Sequence, residues 1–190
     1  MIEYLFSYDK TLFYLINRLP HTTLSDIIFG AITLAGYFGF IWFVAGFIIY
    51  FREKKRDRKF LFSLIIIEFL STLVEIIVKN MVGRLRPQFV LTGVIEPFDF
   101  YHNFSFPSGH AVISFAAAYV LARKKPKMKW LFYSLAVIIS FSRIYLGKHF
   151  PSDVIAGAII GLGIGYISTK FQIPSTKSQT ITKHQITNKK

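Results

Sequence analysis

His149 stands four residues before Asp153, and His110 directly follows Pro107-Ser108-Gly109. An aspartate beside an imidazole can accept its Nδ1–H, fix the tautomer and leave Nε2 free as a nucleophile. Gly109 and the turn after it would open a helix, whose exposed N–H groups favour an anion. Ser108 fits the N-cap of that helix, and a capping hydroxyl can also face a phosphate. Lys79, Arg84, Arg86, Arg143 and Lys148 add five cations. Brought together, they would repel one another unless something neutralised them. Glu75, Glu96, Asp99 and Asp153 can neutralise only part of the set. A bound phosphate would supply the rest, since Arg donates two parallel hydrogen bonds to its oxygens and Lys adds a point charge.

Each of these residues also has a plainer reading. A single Lys or Arg at a membrane boundary snorkels, and a single His there is structural. The group is harder to explain that way. Metal ligation by His110, His149 and Asp153 would put a dication among like charges with few carboxylates to offset them. A Ser-His-Asp hydrolase would leave the cations without a purpose. Glu75 lies four residues before Lys79, the spacing of a helical ion pair that would position the lysine. Arg84 reads first as the partner of an acid and second as a contact to a substrate headgroup. Glu68 fits a buried hydrogen bond to a neighbouring helix as well as it fits a functional role.

The elements that must hold these residues are membrane helices. Of the 190 residues, 53% are hydrophobic and 17% charged, with 21 Phe, 10 Tyr and no Cys. Soluble domains are about 25% charged, and aromatic side chains populate membrane–water boundaries. The absence of Cys removes disulfides, thiolate metal sites and a thiol nucleophile. The net charge of +13 is confined to residues 51–59, 123–129 and 170–190. A nucleic-acid binder would spread it over one continuous face, whereas short basic segments mark the cytoplasmic side of a membrane protein.

Residues 27–51 hold no charge over 25 positions, enough to cross a hydrocarbon core of about 30 Å. Further apolar stretches occupy 60–78, 109–122, 130–142 and 154–169. The last three fall short of the roughly 20 residues of a simple span, which predicts a site sunk near one membrane face. The basic segments orient every turn consistently, and place residues 79–108 and the candidate site outside. Leu5, Leu12, Ile16 and Leu19 share a helical face, with Asp9, Lys10, Asn17 and Arg18 polar. Residues 1–20 therefore read as an amphipathic helix in the outer interface. A sixth span is the alternative, although it would bury Asp9 and Lys10 mid-membrane. Glu3 and the absence of a small-residue cleavage site argue against a signal peptide. The expected fold is all-α: a polytopic transmembrane bundle of five spans plus the interfacial helix, with residues 1–171 as one membrane-embedded domain. Residues 172–190 form a polar cytoplasmic tail of disordered composition.

Lys79 through Arg86-Pro87 follows the pattern K-x6-R-P, residues 107–110 read P-S-G-H, and Ser142-Arg143 through His149 to Asp153 reads S-R-x5-H-x3-D. In that order and spacing they resemble the type 2 phosphatidic acid phosphatase (PAP2) superfamily, and in particular small bacterial membrane lipid phosphatases. The resemblance implies that His149 attacks phosphorus and becomes a phosphohistidine, that Asp153 orients it, and that His110 is the general acid and then the base. It implies that Lys79, Arg86 and Arg143 clamp the non-bridging oxygens, assisted by Ser108 and the Gly109 N–H, with no metal and no cofactor. The implied substrate is a lipid phosphate reached from the bilayer: undecaprenyl pyrophosphate, phosphatidylglycerol phosphate, phosphatidic acid or lipid A 1-phosphate. Loop 88–107 would choose among them, with Asp99, Tyr101 and His102 as candidates. A phosphotransferase using the same intermediate and a non-catalytic lipid-anion binder or transporter are the rival readings. Vanadate haloperoxidases share the motifs but are soluble.

Overall fold

A computed structural model describes residues 2–54, 56–98 and 104–172. Asp99, Tyr101, His102 and the polar tail beyond 172 lie outside the described residues. The described elements are α1 (Ile2–Asn17), α2 (Thr23–Ala35), a 3-10 turn (Tyr37–Gly39), α3 (Phe40–Arg52), α4 (Arg58–Val82), the short α5 (Pro87–Val90), α6 (Gly109–Lys124), α7 (Lys129–Tyr145) and α8 (Pro151–Gln172).

The innermost helix is α6, which packs on α4, α7 and α8. Its composition allows this: Ala111, Ala116, Ala117, Ala118 and Ala122 are all buried. Opposite them, α8 carries glycine at 157, 161 and 165, one residue per turn on one face. A Cβ at Gly161 would strike the carbonyl of Val112, and one at Gly157 the carbonyl of Ser108. Small residues on facing helices are what let two backbones approach where lipid removes the hydrophobic incentive to pack. Beside this contact lies the apolar core of Trp42, Leu64, Ile67, Leu121 and Ile139. The indole N–H of Trp42 donates to Ser114 Oγ at 3.2 Å, so even the one polar atom of this ring is satisfied.

Two described helices are long and apolar enough to cross a bilayer, and a third if α2 and α3 count as one bent span. The charge-free run 27–51 is therefore not one straight helix. Gly36 and Gly39 bracket a break at which Phe38 takes φ 48° and Gly39 φ 69°, and α2 and α3 diverge by 57°. Hydropathy registers only the apolarity of this run, whereas two close glycines weaken the helix backbone itself. At 16 and 17 residues, α6 and α7 are longer than the sequence stretches but still short of a simple span.

The first helix also departs from its sequence reading. Its protein-facing side is formed by Asp9, Phe13 and Asn17, all buried, while Leu12, Leu15 and Leu19 point outward. The polar residues are spent on the protein. Asn17 donates to the carbonyls of Ile95 and Tyr145 at 2.8 and 2.9 Å and accepts the Ile95 N–H at 2.9 Å. The outward leucines leave an apolar surface of the kind that lies in lipid.

Candidate active site

Helix ends converge at one end of the bundle. On α4, Glu75 and Lys79 lie one turn apart and pair at 2.7 Å. Gly83, at φ 63°, ends that helix by returning its N–H to the Lys79 carbonyl. The chain then turns through Arg84 to Arg86, which immediately precedes α5. Arg143 lies in the last turn of α7, and both Lys148 and His149 return their N–H groups to its carbonyl. α8 begins at Pro151, where a residue without an N–H leaves no donor unsatisfied.

Together these ends line a cavity of about 200 Å³ walled by Lys79, Arg86, Arg143, His110, His149 and Glu75. The break supplies its apolar wall, with Tyr37 and Phe38 facing Thr72 and Ile76 of α4. Pockets that engulf a drug-sized ligand run to about 300–1,000 Å³. This one is smaller than that.

His149 is almost fully buried. Its Nε2 lies 3.4 Å from a guanidinium nitrogen of Arg86, whose Nη1 also donates to the Lys148 carbonyl at 2.8 Å. Burial, followed by the charges of Arg86, Arg143 and Lys79, holds the imidazole well below the usual histidine range. Each of these effects disfavours the protonated ring. Arg143 donates to Thr33 Oγ1 at 2.6 Å, and His110 Nε2 lies 3.1 Å from the Thr33 carbonyl. A carbonyl only accepts, so His110 carries its proton on Nε2 when neutral, and Nδ1 is the nitrogen left for other chemistry. Gly109 meets the Glu75 carboxylate so closely that any Cβ there would collide with it.

Asp153 does not contact His149 directly. Its Oδ2 lies 3.8 Å from Nδ1, beyond a hydrogen bond. Ser105 stands between them, donating to Oδ2 at 2.5 Å with its hydroxyl 3.4 Å from Nδ1. The same Oδ2 accepts the Phe150 N–H at 2.9 Å. Ser105 belongs to none of the three sequence motifs; its place just upstream of P-S-G-H is its one signal in the sequence.

Of the five cations, Lys79, Arg86 and Arg143 reach the cavity. Arg84 turns behind it to pair with Asp153 Oδ1 and Asp9 Oδ2, each at 2.6 Å. Lys148 pairs instead with Glu96 and the Phe98 carbonyl. The separation has a simple cause: side chains two and five residues along an irregular segment diverge, whatever their shared sign. Ser108 is at the N-cap of α6 but makes no capping bond; its buried hydroxyl has no partner among the described residues. Its backbone N–H donates to the Asp153 carbonyl at 3.0 Å, which ties α6 to α8 at the site. Among the described residues no three His, Asp or Glu side chains converge as a metal cage would require.

The family model of the PAP2 superfamily matches residues 58–177. An undecaprenyl-diphosphatase of Sulfolobus acidocaldarius is 34% identical over 175 residues, covering 89% of this chain and 80% of its own. The crystal structure of LpxE from Aquifex aeolicus superposes with a TM-score of 0.71 at 33% identity, over 84% of this chain and 93% of that one. A transmembrane PAP2-type phosphatidylglycerolphosphate phosphatase from Bacillus subtilis gives 0.68 at 25% identity, over 88% and 85%. With the match spanning most of the chain and the likeness extending to a solved transmembrane phosphatase, this protein belongs to the PAP2 superfamily and is an integral membrane phosphatase of that kind.

Proposed function

We propose that the protein hydrolyses a lipid phosphate monoester or diphosphate through a phosphohistidine formed on His149. The observation that carries this reading is the cavity itself: a buried imidazole with Nε2 3.4 Å from Arg86, in a pocket that Lys79 and Arg143 also line. In-line phosphoryl transfer leaves charge on three equatorial oxygens, and fixed cations neutralise it without reorganising. Nε2 attacks phosphorus and the bond to the lipid oxygen breaks. His110, protonated at Nδ1, gives that proton to the leaving oxygen. The neutral His110 then takes a proton from water, whose oxygen attacks the phosphohistidine and releases phosphate. Ser105 and Asp153 hold the Nδ1 side of His149 throughout. The Gly109 N–H and the Ser108 hydroxyl are the further donors assigned to the phosphate.

The small cavity and its apolar break favour a substrate whose head enters while its tail stays in lipid. Undecaprenyl diphosphate, phosphatidylglycerol phosphate, phosphatidic acid and lipid A 1-phosphate all have that form. In this reading α2–α3, α4, α6, α7 and α8 are five spans, α1 lies in the interface, and residues 1–171 form one domain. The site opens on the extracytoplasmic side, and the basic loops and the tail beyond 171 are cytoplasmic. The test is a panel of these lipids presented in liposomes to wild type and His149→Ala. Phosphate release by the wild type and none by the variant is expected. Binding without release by the wild type would leave a lipid-anion binder, and transfer of the label to a second lipid would make the protein a phosphotransferase.

A further inference from the structure

Behind His149 a chain of charged side chains continues past Asp153. Asp153 receives Arg84 at 2.6 Å, a charge-assisted pair that is electrically neutral taken alone. A neutral pair would do little for an imidazole faced by Lys79 from α4, Arg86, Arg143 from α7 and His110 from α6. Of the acids at the site, Glu75 is committed to Lys79. Lys148, adjacent in the chain, is matched by Glu96.

A second carboxylate reaches Arg84 from the N-terminal helix. Asp9 Oδ2 takes the other arm of the Arg84 guanidinium at 2.6 Å. The same carboxylate accepts the Ser152 N–H at 2.9 Å and the Ser152 hydroxyl at 2.5 Å. Asp9 is only 8% exposed, although it belongs to a helix whose opposite face is apolar. Arg84 is further pinned by the ring of Phe150, 4.1 Å from its guanidinium carbon. One arginine is therefore divided between two carboxylates, and the trio carries a net negative charge. Its inner end reaches Ser105 and, through it, Nδ1 of His149.

We propose that Asp9 is a positioning residue for the nucleophile: by sharing Arg84 it leaves Asp153 with anionic character toward Ser105 and His149, and through Ser152 it fixes the first turn of α8. The proposal rests on His149 being the nucleophile. It makes α1 part of the catalytic apparatus, so that seating this helix on the bundle completes the charge arrangement behind His149.

The sign of the effect is defined. A negative charge near an imidazole favours its protonated form, so Asp9→Asn lowers the proton affinity of His149 and weakens it as a nucleophile. A residue that only anchored α1 would change yield and melting temperature without moving the pH profile. Wild type, Asp9→Asn, Asp9→Glu and His149→Ala are compared in detergent with one short-chain lipid phosphate, measuring kcat, KM and the acid limb of kcat/KM. In Asp9→Asn, kcat falls about tenfold, KM stays within about threefold and the acid limb moves about half a unit to lower pH. Asp9→Glu restores the limb. An Asp9→Asn limb that coincides with wild type, while His149→Ala is inactive, overturns the proposal and leaves the nucleophile in place. Wild-type turnover by His149→Ala removes the nucleophile and this proposal together. If Asp9→Asn does not fold, Asp9→Ser takes its place: an acid limb moved to lower pH is expected, and a limb at the wild-type position overturns the proposal.

Discussion

Ser105 illustrates how a single hydroxyl can stand where a direct Asp–His contact was expected. It has one proton, given to Asp153, and lone pairs facing the imidazole N–H. The tautomer of His149 is thus held from one atom further away, with the carboxylate as the source of polarity. Ser105→Ala removes this link without adding bulk. Losing one buried hydrogen bond to a charged group, at about 1.5–3 kcal/mol, predicts a kcat about 10- to 100-fold lower with KM near wild type. Steady-state kinetics on a single lipid phosphate would show it; an unchanged kcat would mean that Asp153 acts on His149 by another route. His149, His110, Lys79, Arg86 and Arg143 were legible in the sequence because each sits in a short motif whose spacing carries its meaning. Ser105 and Asp9 were not. Their partners lie 48 residues away for Ser105, and 75 and 143 residues away for Asp9, so only the folded chain brings them together.

The elements matter here chiefly through where they stop. Gly83 ends α4 one turn after Lys79, Pro151 starts α8 just after His149, and α6 opens at Gly109 with His110 in its first turn. The relative heights of these ends depend on how closely α6 and α8 approach, and so on the glycine face of α8. Gly161→Ala would force its Cβ against the Val112 carbonyl, an overpacking cost of about 1–3 kcal/mol. A lower thermal midpoint in detergent is expected, with catalytic loss exceeding that of an alanine at Gly163, where a Cβ meets open space. Helix identity and order followed from hydropathy, since apolar runs this long have few other uses. The break between α2 and α3 did not, because a 25-residue charge-free run looks the same whether its backbone is straight or bent by 57°. The seating of α1 was likewise hidden: its leucines mark one face, but burial of Asp9 and Asn17 depends on partners from other helices.

At the scale of the whole molecule, charge is segregated by end. Lys124 and Lys125 at the foot of α6 pair with Glu53 and Asp57 of the α3–α4 connection. Those contacts hold both carboxyl groups below their usual range, Lys125 acting first on Glu53 and Lys124 on Asp57. The active-site end also gathers cations, but around a cavity. Short basic segments retained in the cytoplasm would therefore leave the cavity on the other side of the membrane. The chain has no native Cys, so single-cysteine labelling reads this out cleanly. Cysteine at Thr92, in the exposed connection after α5, should react with an impermeant maleimide on intact cells. Cysteine at Ser178, in the tail, should react only after permeabilisation, and the reverse pattern would invert the proposed orientation.

The most direct test of the chemistry is rapid-quench trapping with a lipid phosphate carrying labelled phosphorus. Wild-type protein should give a transient, acid-labile and alkali-stable phosphoryl adduct that maps by mass spectrometry to His149, and His149→Ala should give none. A phosphoryl group carried on any other side chain, or turnover at the wild-type rate by His149→Ala, would contradict the assignment of His149 as the nucleophile.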